Sequence, residues 1–510
     1  MNTTQNSTCT MGELLDRATR RFGDRPAISD GKNKLTYREL GARISQYKSA
    51  LGALGLKSGD AVGLLVTNTI EAYSVMAAAM CMGVRYTALH PMGSLDDHLF
   101  IVGDAEIDLL VVEPTAYAGR IEPLSKACKI ATLGPSEGHT DICALADGQT
   151  PGDLSPTLDS TQIVCVVYTG GTTGMPKGVT HRHPSFVNSV QTVLGEYEWP
   201  AETRMLIVAP ISHAAGLLVL PVLLRGGMVV MANGFTPTGF QETILEHKIT
   251  ATFIVPTMIY ALLDHPDVVA EKMKSLELVI YGASPISPSR LEQALGFFGS
   301  VFMQGYAQTE VPLQISILRR EDHDPARPEL LASCGHPTAA VQTAILDEND
   351  QPVARGEVGE LCIRSPMVMD GYWNRPEETA EVFRSGWLHT GDMAREDDEG
   401  YLYLVDRKKD MIISGGFNVY PREVEDTLAS HPDVANVAVV GMPHDKWGEA
   451  VTAVVVQREG CTIDSSALSA FVKDKKGPVY APKAIHVVDA IPLTAIGKPD
   501  RKAVRAMLAE

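Results

Sequence analysis

Residues 168–179 read Tyr-Thr-Gly-Gly-Thr-Thr-Gly-Met-Pro-Lys-Gly-Val, a run with four glycines, three threonines and one lysine. It follows directly on the unbroken apolar run Ile163-Val164-Cys165-Val166-Val167. A strand that empties into such a loop brings backbone N–H groups close to phosphate oxygens. Glycine lets the chain approach without a Cβ, and successive N–H groups form an anion-binding concavity. Thr172 and Thr173 add hydroxyl donors and Lys177 adds a point charge. The string is not a P-loop. That motif ends in Gly-Lys-Ser/Thr, whereas Lys177 lies between Pro176 and Gly178.

Four further strings suit a phosphorylated substrate. In Gln304-Gly305-Tyr306-Ala307-Gln308-Thr309-Glu310, a hydroxyl and a carboxylate follow an apolar strand end. Mg2+ takes oxygen ligands, commonly one or two carboxylates beside substrate phosphates, and Thr309 with Glu310 offers that chemistry. In isolation a Thr-Glu pair also reads as a helix start with threonine as cap. Residues 386–392 end a glycine-bounded turn on Asp392, a carboxylate able to accept from both hydroxyls of a ribose. Residues 401–425 hold the charge run Asp406-Arg407-Lys408-Lys409-Asp410 and the triplet Ser414-Gly415-Gly416, whose glycines permit close backbone approach. Residues 492–502 place Lys498 in a Gly-Lys-Pro turn.

These five strings, in this order and spanning nearly the whole chain, resemble the signatures of the adenylate-forming superfamily: acyl-CoA synthetases, luciferases and the adenylation domains of peptide synthetases. The resemblance implies roles residue by residue. Thr169, Gly170, Gly171, Thr172, Thr173, Gly174 and Lys177 would hold the β- and γ-phosphates of ATP, with Thr172 and Glu310 on magnesium. Thr309 would contact a nucleotide phosphate, and Gln304, Gly305, Tyr306 and Ala307 would border the nucleotide. Ala307 stands where the family usually has glycine, which narrows the floor of the acyl pocket. Asp392 and Arg407 would bind the ribose, Lys409 would be the point about which the C-terminal domain pivots, and Ser414, Gly415 and Gly416 would line the pantetheine tunnel.

Lys498 matches the lysine that contacts carboxylate and α-phosphate during adenylation. A positioned ammonium offsets the charge that builds there. Pro210-Ile211-Ser212-His213 matches the segment whose histidine borders the acyl pocket. Tyr281-Gly282-Ala283-Ser284-Pro285 matches the loop that receives adenine and forms one acyl wall. Ala214, Gly216 and Val311 would complete a pocket with His213, Tyr281 and Ala307. Walls without charge would leave an amino acid's ammonium unpaired, which is unfavourable. The aspartate with which amino-acid-activating relatives grip that amine has no counterpart near His213.

The elements that must position these residues alternate between strand and helix up to about residue 405. Met11 to Phe22 has helical apolar spacing, and Ala61 to Val66 is a short apolar strand leading into a helix from Ile70 to Met82. Comparable apolar runs recur at Leu109–Val112, Leu206–Val208, Met228–Met231, Ala251–Val255 and Leu278–Tyr281. Continuous apolar strands between helices predict parallel sheets covered on both faces. From about residue 333 the pattern turns to alternating β, at Val341–Leu346 and Glu360–Arg364. Beyond the charge run a further hundred residues carry a βαβ-like pattern, with strands at Val434–Gly441 and Ala450–Gln457 and helices at Pro421–Ser430 and Ser465–Asp474.

A chain of 510 residues exceeds one core and predicts at least two domains. The net charge of −18 disfavours nucleic acid and anionic membrane as partners. The stretch from Ala209 to Leu224, broken by Ser212, His213 and two prolines, reads as buried structure and not as a membrane span. No signal peptide is evident, and eight scattered cysteines without Cys-x-x-Cys spacing suit free thiols in a reducing cytoplasm.

The expectation is therefore an α/β protein: a large N-terminal domain of parallel-sheet subdomains plus a β-rich subdomain (1–405), a hinge (406–410) and a small mobile α+β domain (411–510) carrying Lys498. The implied activity is ATP- and Mg2+-dependent ligation of an apolar fatty, aryl or alicyclic acid to coenzyme A. Loading of a carrier protein in trans and a non-catalytic nucleotide-binding homologue stay open as alternatives. The expected partners are small molecules, with a homodimer left open.

Overall fold

The computed structural model describes residues 9–169, 176–494 and 499–509. Two parallel-centred sheets form the N-terminal body. In the first, of eight strands, Ala61–Leu65 lies between Arg85–Ala88 and Leu109–Val112, all parallel. Ile163–Thr169 runs parallel to Arg85–Ala88 and antiparallel to Lys177–Arg182, so the glycine-rich segment joins two neighbouring strands. The short strand Gly371–Tyr372 closes that edge. In the second, of nine strands, Arg204–Ile207, Met228–Met231, Ala251–Ile254, Leu278–Gly282 and Phe302–Gln308 are parallel, and Val311–Leu318 turns back antiparallel. All five residues of Ala61–Leu65 and of Leu278–Gly282 are buried, as strands covered on both faces require.

The helices match the apolar spacing. Met11–Phe22 starts at a capping box between Thr10 and Glu13, and Ile70–Met82 ends at Gly83, whose φ of 69° suits the left-handed stop. Ala209 to Leu224 holds two short helices, Ala214–Leu217 and Val219–Leu224. Among the described residues no helix is long and apolar enough to cross a membrane.

A third sheet is antiparallel and built from Gln342–Leu346, Gly359–Arg364, Trp387–Glu396 and Leu402–Arg407. A fourth, with its own apolar core around Ile412, Val439, Val451 and Leu468, follows residue 411. The βαβ pattern expected there holds only for Gly448–Gln457, helix Ser465–Lys476 and the parallel strand Ala484–Val487. Val434–His444 instead pairs antiparallel with Gly448–Gln457. Both strands are apolar on both faces, so composition could not separate the two arrangements.

All eight cysteines are free thiols, four of them buried and four half-buried. Burial raises Cys81 and Cys362 to about 12 and Cys128, Cys143 and Cys334 to about 11, and it also raises Cys165.

Candidate active site

The antiparallel register of the third sheet sets Asp392 directly opposite Arg407. Arg407 Nε lies 2.6 Å from Asp392 Oδ1. The other oxygen accepts from Tyr306 OH at 2.5 Å and from Gln308 Nε2 at 2.6 Å. Burial, then Asp392, raises the Tyr306 phenol well above its ordinary value, so it stays a donor. Burial is the largest influence on Arg407 and opposes its charge, but Asp392, Tyr306, Glu310 and Asp410 together hold that pKa above normal. A carboxylate offers about four acceptor positions. Three are taken here, so a ribose hydroxyl must add to the last or displace a donor. Gln308 also donates to Thr390 O at 3.0 Å, which ties the second and third sheets together at this corner.

Thr309 and Glu310 form the two-residue reversal between strands Phe302–Gln308 and Val311–Leu318, since Gln308 pairs with Val311. They do not start a helix. Buried His181 braces the reversal by donating Nε2–H to Thr309 O at 2.8 Å, while Met369 N–H donates to Glu310 O at 2.8 Å. Burial lowers His181 to about 4, so the ring is neutral. Tyr372 OH donates to Glu310 Oε1 at 2.8 Å, and burial, then Glu310, raises that phenol too. Lys177 Nζ stands 5.2 Å from the centre of the Tyr372 ring and pairs with Glu378. A Cβ on Gly178 would fall 2.6 Å from Val166 and 3.0 Å from Tyr168, so only glycine keeps this strand start in place.

In the segment expected to receive adenine, Gly282 pairs with Gly305, and a Cβ on Gly282 would come 2.3 Å from Gly305 O. Ala283 follows with a φ of 64°, a conformation that ordinarily favours glycine, and Ser284 is half-buried beside it. Gln304 is buried and receives the Tyr281 hydroxyl at 3.2 Å, while Ala307 is half-buried at the bulge between Tyr306 and Gln308.

His213 meets His90 edge to face at 4.4 Å between ring centres and lies 2.8 Å from Ser212 Oγ. Burial lowers His213 to about 3 and His90 to about 4; His90 adds to the effect at His213, and His98 adds to it at His90. Asn68 steadies the approach to His213: it donates to Ala209 O and Ala232 O at 3.0 Å and accepts Ile211 N–H at 2.9 Å. Ala214 is half-buried at the start of the short helix beside them.

Three further residues expected to line the pocket are buried. Tyr281 is fully buried, with its hydroxyl 2.9 Å from His323 Nε2 in the core behind the sheet. Val311 is buried with Val179, Tyr306 and Ile315. At Gly216 a Cβ would stand 1.9 Å from Ile211 O, so this glycine serves close packing. Ser414, Gly415 and Gly416 form a hairpin turn in which Ser414 pairs with Phe417 and the glycines have φ of 60° and 84°. Gly415 N–H donates to Trp447 O at 2.8 Å, and the hairpin leaves Ile413 and Phe417 exposed. Lys409 lies just past Arg407, within the fields of Asp410, Asp392 and Lys177. Gly170, Gly171, Thr172, Thr173, Gly174 and Lys498 lie outside the described residues, whereas Thr169 ends its strand.

Sequence reasoning missed Tyr372, Glu378, His181, His90 and Asn68. The string at residues 371–378, an aromatic pair followed by an arginine and two glutamates, is the one signal that could have drawn attention.

Two parallel sheets meeting a β-subdomain at a paired carboxylate, with a small unit appended after a charged junction, define the architecture of an adenylate-forming enzyme. The chain belongs to the AMP-binding enzyme family: that family's model matches residues 15–373, and the AMP-binding enzyme C-terminal domain matches 423–498. It is 46% identical to the medium/long-chain-fatty-acid–CoA ligase FadD8 of Mycobacterium tuberculosis, over 97% of this chain and 89% of that one. A point mutant of the amide bond synthetase McbA from Marinactinospora thermotolerans matches with a TM-score of 0.91 at 34% identity, over 98% of this chain and 100% of that one. ATP-bound MatB from Rhodopseudomonas palustris matches at 0.89 and 28% identity, and apo MatB at 0.80 and 27%, both over 98% of this chain and 99% of the other. The protein is an ATP-dependent carboxylate–CoA ligase.

Proposed function

We propose that the acid activated is an apolar monocarboxylic acid of the medium- to long-chain fatty class. The observation that carries this reading is the wall formed by His90 and His213, two imidazoles that burial holds neutral. A second carboxylate or an ammonium on the substrate would find no charge to pair with there and would lose its hydration. The fatty-acid ligase FadD8, at 46% identity, supports the same class.

In the proposed first step the acid's carboxylate attacks the α-phosphate of ATP, giving acyl-adenylate and pyrophosphate. Asp392 and Arg407 would orient the ribose, the 169–174 loop and Lys177 the outer phosphates, and Lys498 would offset charge at the α-phosphorus. Glu310, half-buried and oriented by Tyr372, is a hard oxygen donor of the kind Mg2+ takes beside phosphates. That ion would neutralise phosphate charge. In the second step the C-terminal domain would turn about Lys409 within the 406–410 hinge, withdraw Lys498 and bring Ser414–Gly416 over the site. The CoA thiol then attacks the acyl carbonyl and AMP leaves. One site serving two chemistries is the physical reason for such a swing.

The test is mass spectrometry of products from Mg·ATP and a panel of acids, with and without CoA. An acyl-CoA formed only with CoA, and best from unbranched apolar acids, is expected. A dicarboxylic acid as best substrate would overturn the acid class. Product amides formed with added amines but no thioester would move the acceptor toward that of the amide bond synthetase. Lys498→Ala should abolish adenylation and largely spare thioester formation from supplied acyl-adenylate.

A further inference from the structure

Charged residues bracket the junction between the two bodies. Lys408 Nζ lies 3.1 Å from Glu360 Oε2, a buried carboxylate of the third sheet that also accepts Gly391 N–H at 3.1 Å and faces Arg384 at 3.3 Å. On the far side of Lys409, Asp410 Oδ2 accepts from Arg501 at 3.2 Å. The same guanidinium reaches both oxygens of Glu425 at 3.0 Å, on the first helix of the C-terminal unit. Lys409 therefore stands between one neighbour fixed to the N-terminal body and another fixed to the C-terminal body. Arg501 also donates to Asp406 Oδ1 at 3.0 Å, and that bond spans Lys409. Asp406 Oδ2 accepts Arg422 N–H at 2.8 Å, and Arg422 donates to Leu404 O at 3.0 Å. The Asp406 side chain is 5% exposed and that of Arg501 17%, so parting them leaves two poorly hydrated charges.

We propose that Arg501 is a positioning residue that clasps the chain across Lys409. Its bonds to Asp410 and Glu425 stiffen the C-terminal body up to the pivot, and its bond to Asp406 holds that body in the orientation used for adenylation. The clasp rests on the two-step reading above and goes beyond it. Arg501 comes three residues after Lys498 in sequence and opens helix Arg501–Ala509, so it fixes the segment from which Lys498 must reach. The orientation described here is also the one closer to ATP-bound MatB, at a TM-score of 0.89, than to the apo form at 0.80. A swing into the thioester-forming orientation has to break the Asp406 bond and can keep the other two.

The test is a double-mutant cycle on Arg501→Gln and Asp406→Asn, with ATP–pyrophosphate exchange and thioester formation from supplied acyl-adenylate measured separately. Each single change should lower exchange about tenfold, and the double variant should be no worse than the weaker single, because either change alone already breaks the Arg501–Asp406 bond. Thioester formation should stay within about twofold in all three. Multiplicative losses in exchange, or equal losses in both half-reactions, would overturn the clasp. Arg501→Lys keeps the charge but not the fork, and should recover part of the exchange. Orientation is read without any activity from the rate of trypsin cleavage at 407–409 under saturating ATP. That rate should rise in Asp406→Asn, and an unchanged rate counts against the clasp even if Arg501→Gln folds poorly. A parent protein that exchanges no pyrophosphate with any acid would sink the ligase reading, while the cleavage arm would still report on Arg501.

Discussion

The corner around Asp392 and the wall around His213 handle polar groups in opposite ways. At Asp392 a buried carboxylate already carries three donors, from Arg407, Tyr306 and Gln308, each within 2.6 Å. At His213 two imidazoles that could carry charge are packed edge to face until neither does. The first arrangement suits a partner whose polar groups never vary, because the donors are fixed before it arrives. The second suits a family of partners that share only the lack of charge. On the proposed reading one end of the site would select by matched hydrogen bonds and the other by refusing charge, and refusal discriminates less finely between acids that differ by a few methylenes.

Removing the carboxylate should break this contrast most severely. Asp392→Ala strands Arg407, Tyr306 and Gln308 together, at a loss of ~3 kcal/mol or more, so pyrophosphate exchange should fall about a hundredfold or further. Exchange within threefold of the parent would show that the corner is not used. On the acyl side, Gly216→Ala drives a Cβ into the Ile211 carbonyl and should cost about 1–3 kcal/mol, seen as a lower urea midpoint with ATP affinity little changed. Tyr372→Phe removes one donor from Glu310 and should slow adenylation roughly tenfold, with thioester formation spared.

The smallest effect should come from pH. His213 and His90 titrate near 3 and 4 in the folded protein, so the ratio of kcat/KM for an apolar acid to that for a dicarboxylic acid should be flat from pH 6 to 8. Both values lie below the ordinary histidine range, so the unfolded chain takes up protons first on acidification. The stability tied to these rings is complete above pH ~6.5 and drains away as pH falls through 4 and 3. A selectivity that titrates near pH 7 would mean the wall is charged when substrate binds.

The sheets were legible because their strands are apolar throughout, at Ala61–Leu65 and Leu278–Gly282 alike, and the motif strings stood out because the chemistry expected of them needs particular side chains in a particular order. Which face a residue takes was not. In a strand buried on both sides Tyr281 and Val311 show no alternation to orient them, and both turn into cores. The pairing of Lys177 with Glu378 and the reach of Tyr372 to Glu310 join segments far apart in sequence, and only the edge strand Gly371–Tyr372 brings them together. At the C-terminal end two doubly buried strands gave the same pattern for a hairpin as for a parallel pair.

The eight thiols have a bearing on product yield. An enzyme that holds an acyl-adenylate keeps an acylating agent within its own walls, and any thiolate of the chain could intercept it. Thiolate is the nucleophilic form, and burial at Cys81, Cys128, Cys143, Cys165, Cys334 and Cys362 pushes ionisation well above neutral pH. The incoming coenzyme thiol thus competes against a chain that has withheld six of its eight thiols, and the catalyst is largely spared from becoming its own substrate.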